Sequence, residues 1–223
     1  MNEVKQLIKA VIFDLDGVLI TTDDCHYEAW KQMADEEGIY FDRAINERLR
    51  GVSRMDSLDI ILEKSRRSYS VEEKQRLSAR KNGYYVRKIA TLSHESVMPG
   101  ALDTIGSLKK MGIPIAVASS SKNAPAILKA LHLKNKFDAV ADGNDIQNSK
   151  PHPEVFLLAA QRLKMPPQDC LVVEDADAGI EAGNRAGMMT LGVGSARNNP
   201  DATLKADDLT AIDLAGLIQD GVI

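Results

Sequence analysis

Asp14 and Asp16 stand one residue apart, directly behind the apolar run Ala10-Val11-Ile12-Phe13, and Gly17 follows. Side chains on a strand repeat every second residue, so a buried strand ending here sends both carboxylates to the same side. Two like charges that close at the rim of a core need a cation to offset them. A magnesium ion, a lysine, or both would serve. Polar groups follow other apolar runs in the same way: Ser119-Ser120-Ser121-Lys122-Asn123, then Ser149-Lys150-Pro151, then Glu174-Asp175. This inventory suits magnesium-dependent phosphoryl transfer. Magnesium takes one or two carboxylates plus phosphate oxygens and water. A helix start with serine hydroxyls and free N–H groups holds an anion, and lysine adds positive charge.

Each piece alone has a plainer reading. Asp-x-Asp is usually a turn. Glu174-Asp175 suits the first turn of any helix. Ser119 to Asn123 reads as an N-cap, and Lys150 as a solvated surface residue. Together they are harder to dismiss, because independent accidents rarely fall at successive strand ends.

The elements that must position these groups follow from periodicity. Strands are expected at 10–13, 113–118, 137–141, 170–173 and 188–193. Helices are expected at 101–111, 124–131 and 154–164, with another running to Gly187. Such alternation predicts an α/β fold, a Rossmann-like parallel sheet with helices on both faces. Ligands in such sheets bind beyond the carboxyl ends of the strands. Residues 24–92 carry no strand pattern. Ala29, Trp30, Met33 and Ala34 form one helical stripe. Ser53 with Asp56, and Ser70 with Glu73, read as capping boxes. The expected organisation is a core of residues 1–20 and 94–223 with an inserted all-helical cap, 21–93. Lys81 falls on an apolar helix face with Leu77, Tyr84 and Tyr85, where it needs an acidic partner or an exit to water.

The bulk numbers exclude other classes. The chain has 223 residues, 44% apolar and 27% charged, with net charge −4. That balance argues against general affinity for nucleic acid or an anionic membrane surface. No apolar run approaches a bilayer span, and Asp14 and Asp16 interrupt what would be the apolar segment of a secretion signal. Cys25 and Cys170 are far apart and fit no metal pattern. A cytoplasmic, monomeric protein is expected.

FDLDGV at 13–18, the serine after the second strand, Lys150-Pro151 and Glu174-Asp175 resemble the four-motif signature of the haloacid dehalogenase superfamily. The likeness covers nearly the whole chain. It is closest to the sugar phosphomutase subgroup, through Thr22 and His26 with Trp30, Arg50 to Arg54 with Ser57, Arg80-Lys81-Asn82, Ser119 to Asn123, and Glu174-Asp175-Ala176. The resemblance implies that Asp14 is the nucleophile that becomes an aspartyl phosphate. It makes Asp16 the general acid and base, which lends its backbone carbonyl to one Mg2+ ion. Glu174 and Asp175 complete that metal site with Asp14. Ser119 and Lys150, with Ser120 beside them, hold the reacting phosphate. Arg54, Ser121, Lys122 and Asn123 hold the other phosphate, and Gly51, Val52, Ser53 and Arg54 contact the sugar, near Ser57. Thr22, His26 and Lys81 position Asp16. Trp30 belongs to the same substrate-side stretch, although its stripe position suits cap core.

The implied reaction interconverts β-glucose 1-phosphate and glucose 6-phosphate, with glucose 1,6-bisphosphate as activating intermediate. A sugar-phosphate phosphatase is the alternative within the superfamily, and a non-catalytic sugar-phosphate sensor the alternative outside it. The chain departs from its relatives at Thr21, where many carry aspartate, at Cys25, where many carry an aromatic, and at Ser120, in place of alanine.

Overall fold

A computed structural model describes residues 7–49 and 53–221. The chain divides into two compact units. One runs up to Thr21 and resumes at Ser93; the other is Thr22–Leu92.

The first unit is built on a six-stranded sheet. Its strands are β1 (Ala10–Phe13), β2 (Ile115–Ala118), β3 (Ala139–Ala141), β4 (Cys170–Glu174), β5 (Met189–Gly192) and β6 (Leu204–Lys205). Their order is β3-β2-β1-β4-β5-β6, and every pairing is parallel. β1, β2 and β4 are buried along their whole length, as strands covered on both faces must be. Ala10, Ile12, Ala116, Ala118, Cys170 and Val172 pack under α7 (Glu154–Leu163) and against Ala182 of α8 (Asp177–Arg185). The intervening Val11, Phe13, Val117 and Val173 are also fully buried. α5 (Ala101–Lys110) packs on β2 and on α9 (Leu214–Gln219). α6 (Ala124–Ala130) completes the helices of this unit.

Register brings the chemistry to one edge. Phe13 pairs with both Val117 and Val173, so the residues that follow β1, β2 and β4 leave the sheet at one level. The Asp14 amide donates to Val173 O at 2.9 Å, and the Ser119 amide to Ala141 O at 3.0 Å.

The second unit is helical: α1 (Asp23–Glu36), α2 (Arg43–Glu47), α3 (Arg54–Leu62) and α4 (Val71–Ile89). Trp30, Met33, Ala34, Ile39, Phe41, Leu58, Ile61 and Leu77 form its core. Ser70 and Glu73 make the full capping box at the start of α4, a device worth about 1 kcal/mol. Ser53 caps α3, but the expected reciprocal half is absent. The Asp56 carboxylate accepts from the Ser53 hydroxyl at 2.6 Å instead; aspartate is one methylene shorter than the glutamate a capping box uses.

β6, α2 and α9 have no counterpart among the expected elements. Each is short, two to six residues, and offers too few periods for a pattern to register.

Candidate active site

Three segments converge at the carboxyl edge of the sheet. Lys150 Nζ donates to Asp14 Oδ1, to Glu174 Oε1 at 2.5 Å and to Ala118 O at 3.1 Å. The three side chains are nearly closed to solvent, with exposures of 10% for Lys150 and Asp14 and 2% for Glu174. The lysine stem is not in free water either, since Nζ lies 4.6 Å from the centre of the Phe156 ring. The Lys150–Pro151 peptide is cis. The plain surface-lysine reading of Lys150 is therefore excluded.

Electrostatics follow from that burial. Burial opposes the charge on Lys150, but the Asp14 and Glu174 carboxylates together raise its pKa above the ordinary lysine value. The ammonium persists and binds both acids. Burial pushes Asp14 upward, Lys150 opposes it, and the negative charges of Glu174 and Asp16 push it further up. Asp175 is raised to about 8, first by burial and then by Asp14, Glu174 and Asp16. Carboxylates crowded in this way favour any additional cation.

Asp175 is lodged against the loop after β1. Gly17 has φ +92°, and a Cβ there would lie 2.1 Å from Asp175 Oδ2, so only glycine fits. From the other side Ser195 Oγ donates to Asp175 O at 2.6 Å. Asp16 is half-buried in the same loop. Among the described residues no three His, Cys, Asp or Glu side chains stand together as a ready metal-holding group. The expected ligand set is thus not preassembled at Glu174. Its Oε1 faces Lys150, and its Oε2 accepts from the amides of Asp175 at 2.9 Å and Ala176 at 3.0 Å. Asp14 and Asp175 remain, and two carboxylates with carbonyl, phosphate and water oxygens fit magnesium.

The loop after β2 is the expected anion cradle. Ser119 is buried, and its Oγ accepts from the Ser121 amide at 3.1 Å. Ser120 Oγ accepts from the Lys150 amide at 3.4 Å, which ties the loop to the lysine. Ser121 Oγ accepts from the Asn123 amide at 3.2 Å, and Lys122 is exposed. A support for this loop went unnoticed in the sequence: Asp142-Gly143-Asn144, after β3. The Gly143 amide donates to Ser121 O, and Asn144 Nδ2 donates to Lys122 O at 3.0 Å. The Asp-Gly-Asn triplet behind a strand was the available signal.

In the helical unit, Lys81 is 2% exposed. Within that unit Nζ meets His26 Nδ1 at 2.8 Å. It also lies over the Trp30 and Tyr85 rings. Burial, Lys81 and Arg54 depress His26 to about 3, so it is neutral and accepts through Nδ1. Burial and Arg54 lower Lys81 to about 7, with Cys25 opposing. Thr22 is buried and accepts from the Tyr85 hydroxyl at 3.2 Å. Trp30 and Ser57 are buried, Trp30 within the core of the unit. Ser53 and Arg54 are exposed at the start of α3, and Arg54 makes no ion pair among the described residues. Gly51 and Val52 lie outside the described residues.

Lys81 gives a test of its own. Its folded pKa is below the unfolded value of 10.5, so the native state sheds this proton first. The contribution is unfavourable below about pH 7 and is relieved as pH rises towards 10.5. Lys81→Met is expected to raise the melting temperature at pH 6.5 by several degrees, with the gain shrinking towards pH 10; a gain independent of pH would contradict this origin.

The chain is similar to known proteins over most of its length. Residues 8–187 match the family model described as hydrolase, haloacid dehalogenase-like. The chain is 44% identical to β-phosphoglucomutase of Bacillus subtilis, over 91% of this chain and 92% of that protein. It is 32% identical to a phosphorylated carbohydrates phosphatase of Thermotoga maritima, over 89% and 91%. A crystal structure of β-phosphoglucomutase from Clostridium difficile superposes with a TM-score of 0.83 at 43% identity, covering 96% of this chain and 97% of that one.

Proposed function

From the premise that the chain belongs to the haloacid dehalogenase-like hydrolase family, we infer that it is a β-phosphoglucomutase, interconverting β-glucose 1-phosphate and glucose 6-phosphate. The observation that carries this reading is the buried Asp14–Lys150–Glu174 contact at the sheet edge, in a chain 44% identical to a β-phosphoglucomutase.

Asp14 is the nucleophile. It enters the cycle phosphorylated. The C6 hydroxyl of β-glucose 1-phosphate loses its proton to Asp16 and attacks the aspartyl phosphorus, the bond from phosphorus to Asp14 breaks, and glucose 1,6-bisphosphate forms. The bisphosphate then turns round, an Asp14 oxygen attacks the phosphorus at C1, the bond from that phosphorus to the C1 oxygen breaks, and the C1 oxygen takes the proton back from Asp16, which leaves glucose 6-phosphate and phosphorylated Asp14. A carboxylate is a weak nucleophile, so the catalysis lies in positioning and in neutralising charge on the phosphoryl oxygens. Lys150 supplies one fixed positive charge there, and Ser119 a hydroxyl. Bound magnesium, for which Asp14, Asp175 and the Asp16 backbone carbonyl are the proposed ligands, supplies the remaining charge neutralisation. Glucose 1,6-bisphosphate is the activator that keeps Asp14 phosphorylated.

A mutase must also hold the phosphate that does not react. Arg54 suits that role because its planar guanidinium binds phosphate through two nitrogens. It is exposed, has no ion-pair partner among the described residues, and shares its positive field with Lys81. Ser121, Lys122 and Asn123 are the proposed contacts from the core. A phosphatase would use the same Asp14 chemistry with water as acceptor, and the Thermotoga relative keeps that reading in view.

The test is a coupled assay on β-glucose 1-phosphate with magnesium and glucose 1,6-bisphosphate, run beside a phosphate-release assay. Isomer formation far ahead of free phosphate is expected; steady phosphate release with no isomer makes the protein a phosphatase. Arg54→Ala is expected to lower isomerisation about 100-fold or more. Phosphorylation of Asp14 by acetyl phosphate should change less than about threefold, because that donor has no second phosphate for Arg54 to hold.

A further inference from the structure

α8 carries two buried glycines, Gly179 and Gly183, where alanine would be the better helix former. A glycine in a helix interior weakens the helix, so each position needs a reason. Gly183 has an ordinary one: a Cβ there would lie 2.7 Å from Thr190 Cγ2 and 3.4 Å from Val172 Cβ, both part of the packing on the sheet. Gly179 faces something else. A Cβ on it would sit 1.9 Å from the carboxyl carbon of Glu174, 1.9 Å from Oε1 and 2.5 Å from Cγ. All three are atoms of the side chain that holds Lys150 beside Asp14.

We propose that Gly179 is a positioning residue for phosphoryl transfer: its missing side chain is the space in which the Glu174 carboxylate lies, and that carboxylate sets Lys150 between itself and Asp14. Glu174 cannot easily give way. Oε2 is fixed by the Asp175 and Ala176 amides, and β4 is fully buried at this end. Any Cβ at 179 therefore rotates the carboxylate out of reach of Nζ. Lys150 is left with Asp14 as its single carboxylate partner. The lysine then binds the nucleophile more tightly and competes with any metal for the same oxygens. The catalytic part of this inference rests on the proposed role of Asp14, Asp175 and Lys150; the steric part does not.

The experiment is a double-mutant cycle of Gly179→Ala and Glu174→Ala, with Gly183→Ala as the control on the same helix. Melting temperature and magnesium affinity by titration calorimetry are read for every variant, and isomerisation rate beside them. Gly179→Ala alone is expected to lower the melting temperature and to weaken magnesium binding about tenfold or more, the range seen when the support of a metal site is removed. In the Glu174→Ala background the sign reverses. Alanine at 179 should then raise the melting temperature, because helix propensity is no longer opposed, and should leave magnesium affinity within about twofold. Gly183→Ala should lower the melting temperature without changing magnesium affinity. The proposal is overturned if Gly179→Ala behaves like Gly183→Ala, or if its effect on melting is the same in both backgrounds. Failure of the wild-type protein to bind magnesium would instead count against the proposed function, and the melting cycle would still decide the role of Gly179.

Discussion

Asp14→Asn is expected to lower isomerisation by about four orders of magnitude or more, the scale of removing a covalent nucleophile, while leaving the protein folded. The amide has nearly the shape of the carboxylate but cannot form the acyl phosphate. The fold should tolerate it because burial and the neighbouring Glu174 and Asp16 charges already press Asp14 towards its neutral form. Lys150 keeps Glu174 as a charged partner at 2.5 Å. Three readouts check this: turnover in the coupled assay, acid-stable phosphate on the protein after a quench, and the melting temperature. Loss of the phosphorylated species with the melting curve almost unmoved is the expected combination. Turnover within about a hundredfold of wild type would remove Asp14 from the mechanism.

Lys150→Met should damage both function and fold. Methionine keeps much of the stem packed over Phe156, where Nζ now lies 4.6 Å from the ring, so volume is not the issue. What disappears is the one positive charge bound to both Asp14 and Glu174. Breaking a buried ion pair on one side leaves uncompensated charge and costs about 3–5 kcal/mol. Turnover should fall about 1000-fold, as for removal of one transition-state donor. The stability loss should also depend on pH. Without Lys150 the influence that lowers the Asp14 pKa is gone, so the folded-state pKa rises further. A carboxyl with a raised folded pKa favours the native state only while it is protonated, so stability falls as pH climbs from the unfolded value of 3.8 through the folded one. Denaturant titrations of the metal-free variant at pH 5 and pH 8 should show the larger deficit at pH 8. An equal deficit at both would mean that lost packing, not stranded charge, is the cause.

Several parts of this protein were legible without coordinates because they depend on local chemistry. The strand before Asp14 is a run of four apolar residues closed by an acid, and it forms β1 as written. The Ser70–Glu73 capping box needs only residues three apart. The helices after β2 and β3 begin where proline and the serine-rich loop allow. Strand ends at one edge of a parallel sheet follow from alternation, and so does the meeting of Glu174 with Asp14 and Lys150, two residues themselves 136 positions apart in the chain.

Other features depend on which atoms fill the same space, and no spacing rule encodes that. Lys81 lies on an apolar stripe, which signals a need for a partner but does not identify it; within its unit the partner is the ring nitrogen of His26. The Ser53–Asp56 pair satisfies the pattern of a capping box, yet side-chain length makes only half of one. Asp142-Gly143-Asn144 looks like any turn until its groups are seen to hold the Ser121–Lys122 backbone. Gly179 and Gly183 are the same residue four places apart on one helix. One gives room to Thr190 and the other to the carboxylate of Glu174. The order of residue types along the chain determined which groups could do chemistry and which sheet edge would gather them. Close packing across distant segments decided which oxygens Lys150 binds, because contact is a property of three-dimensional volume and the chain specifies it only once folded.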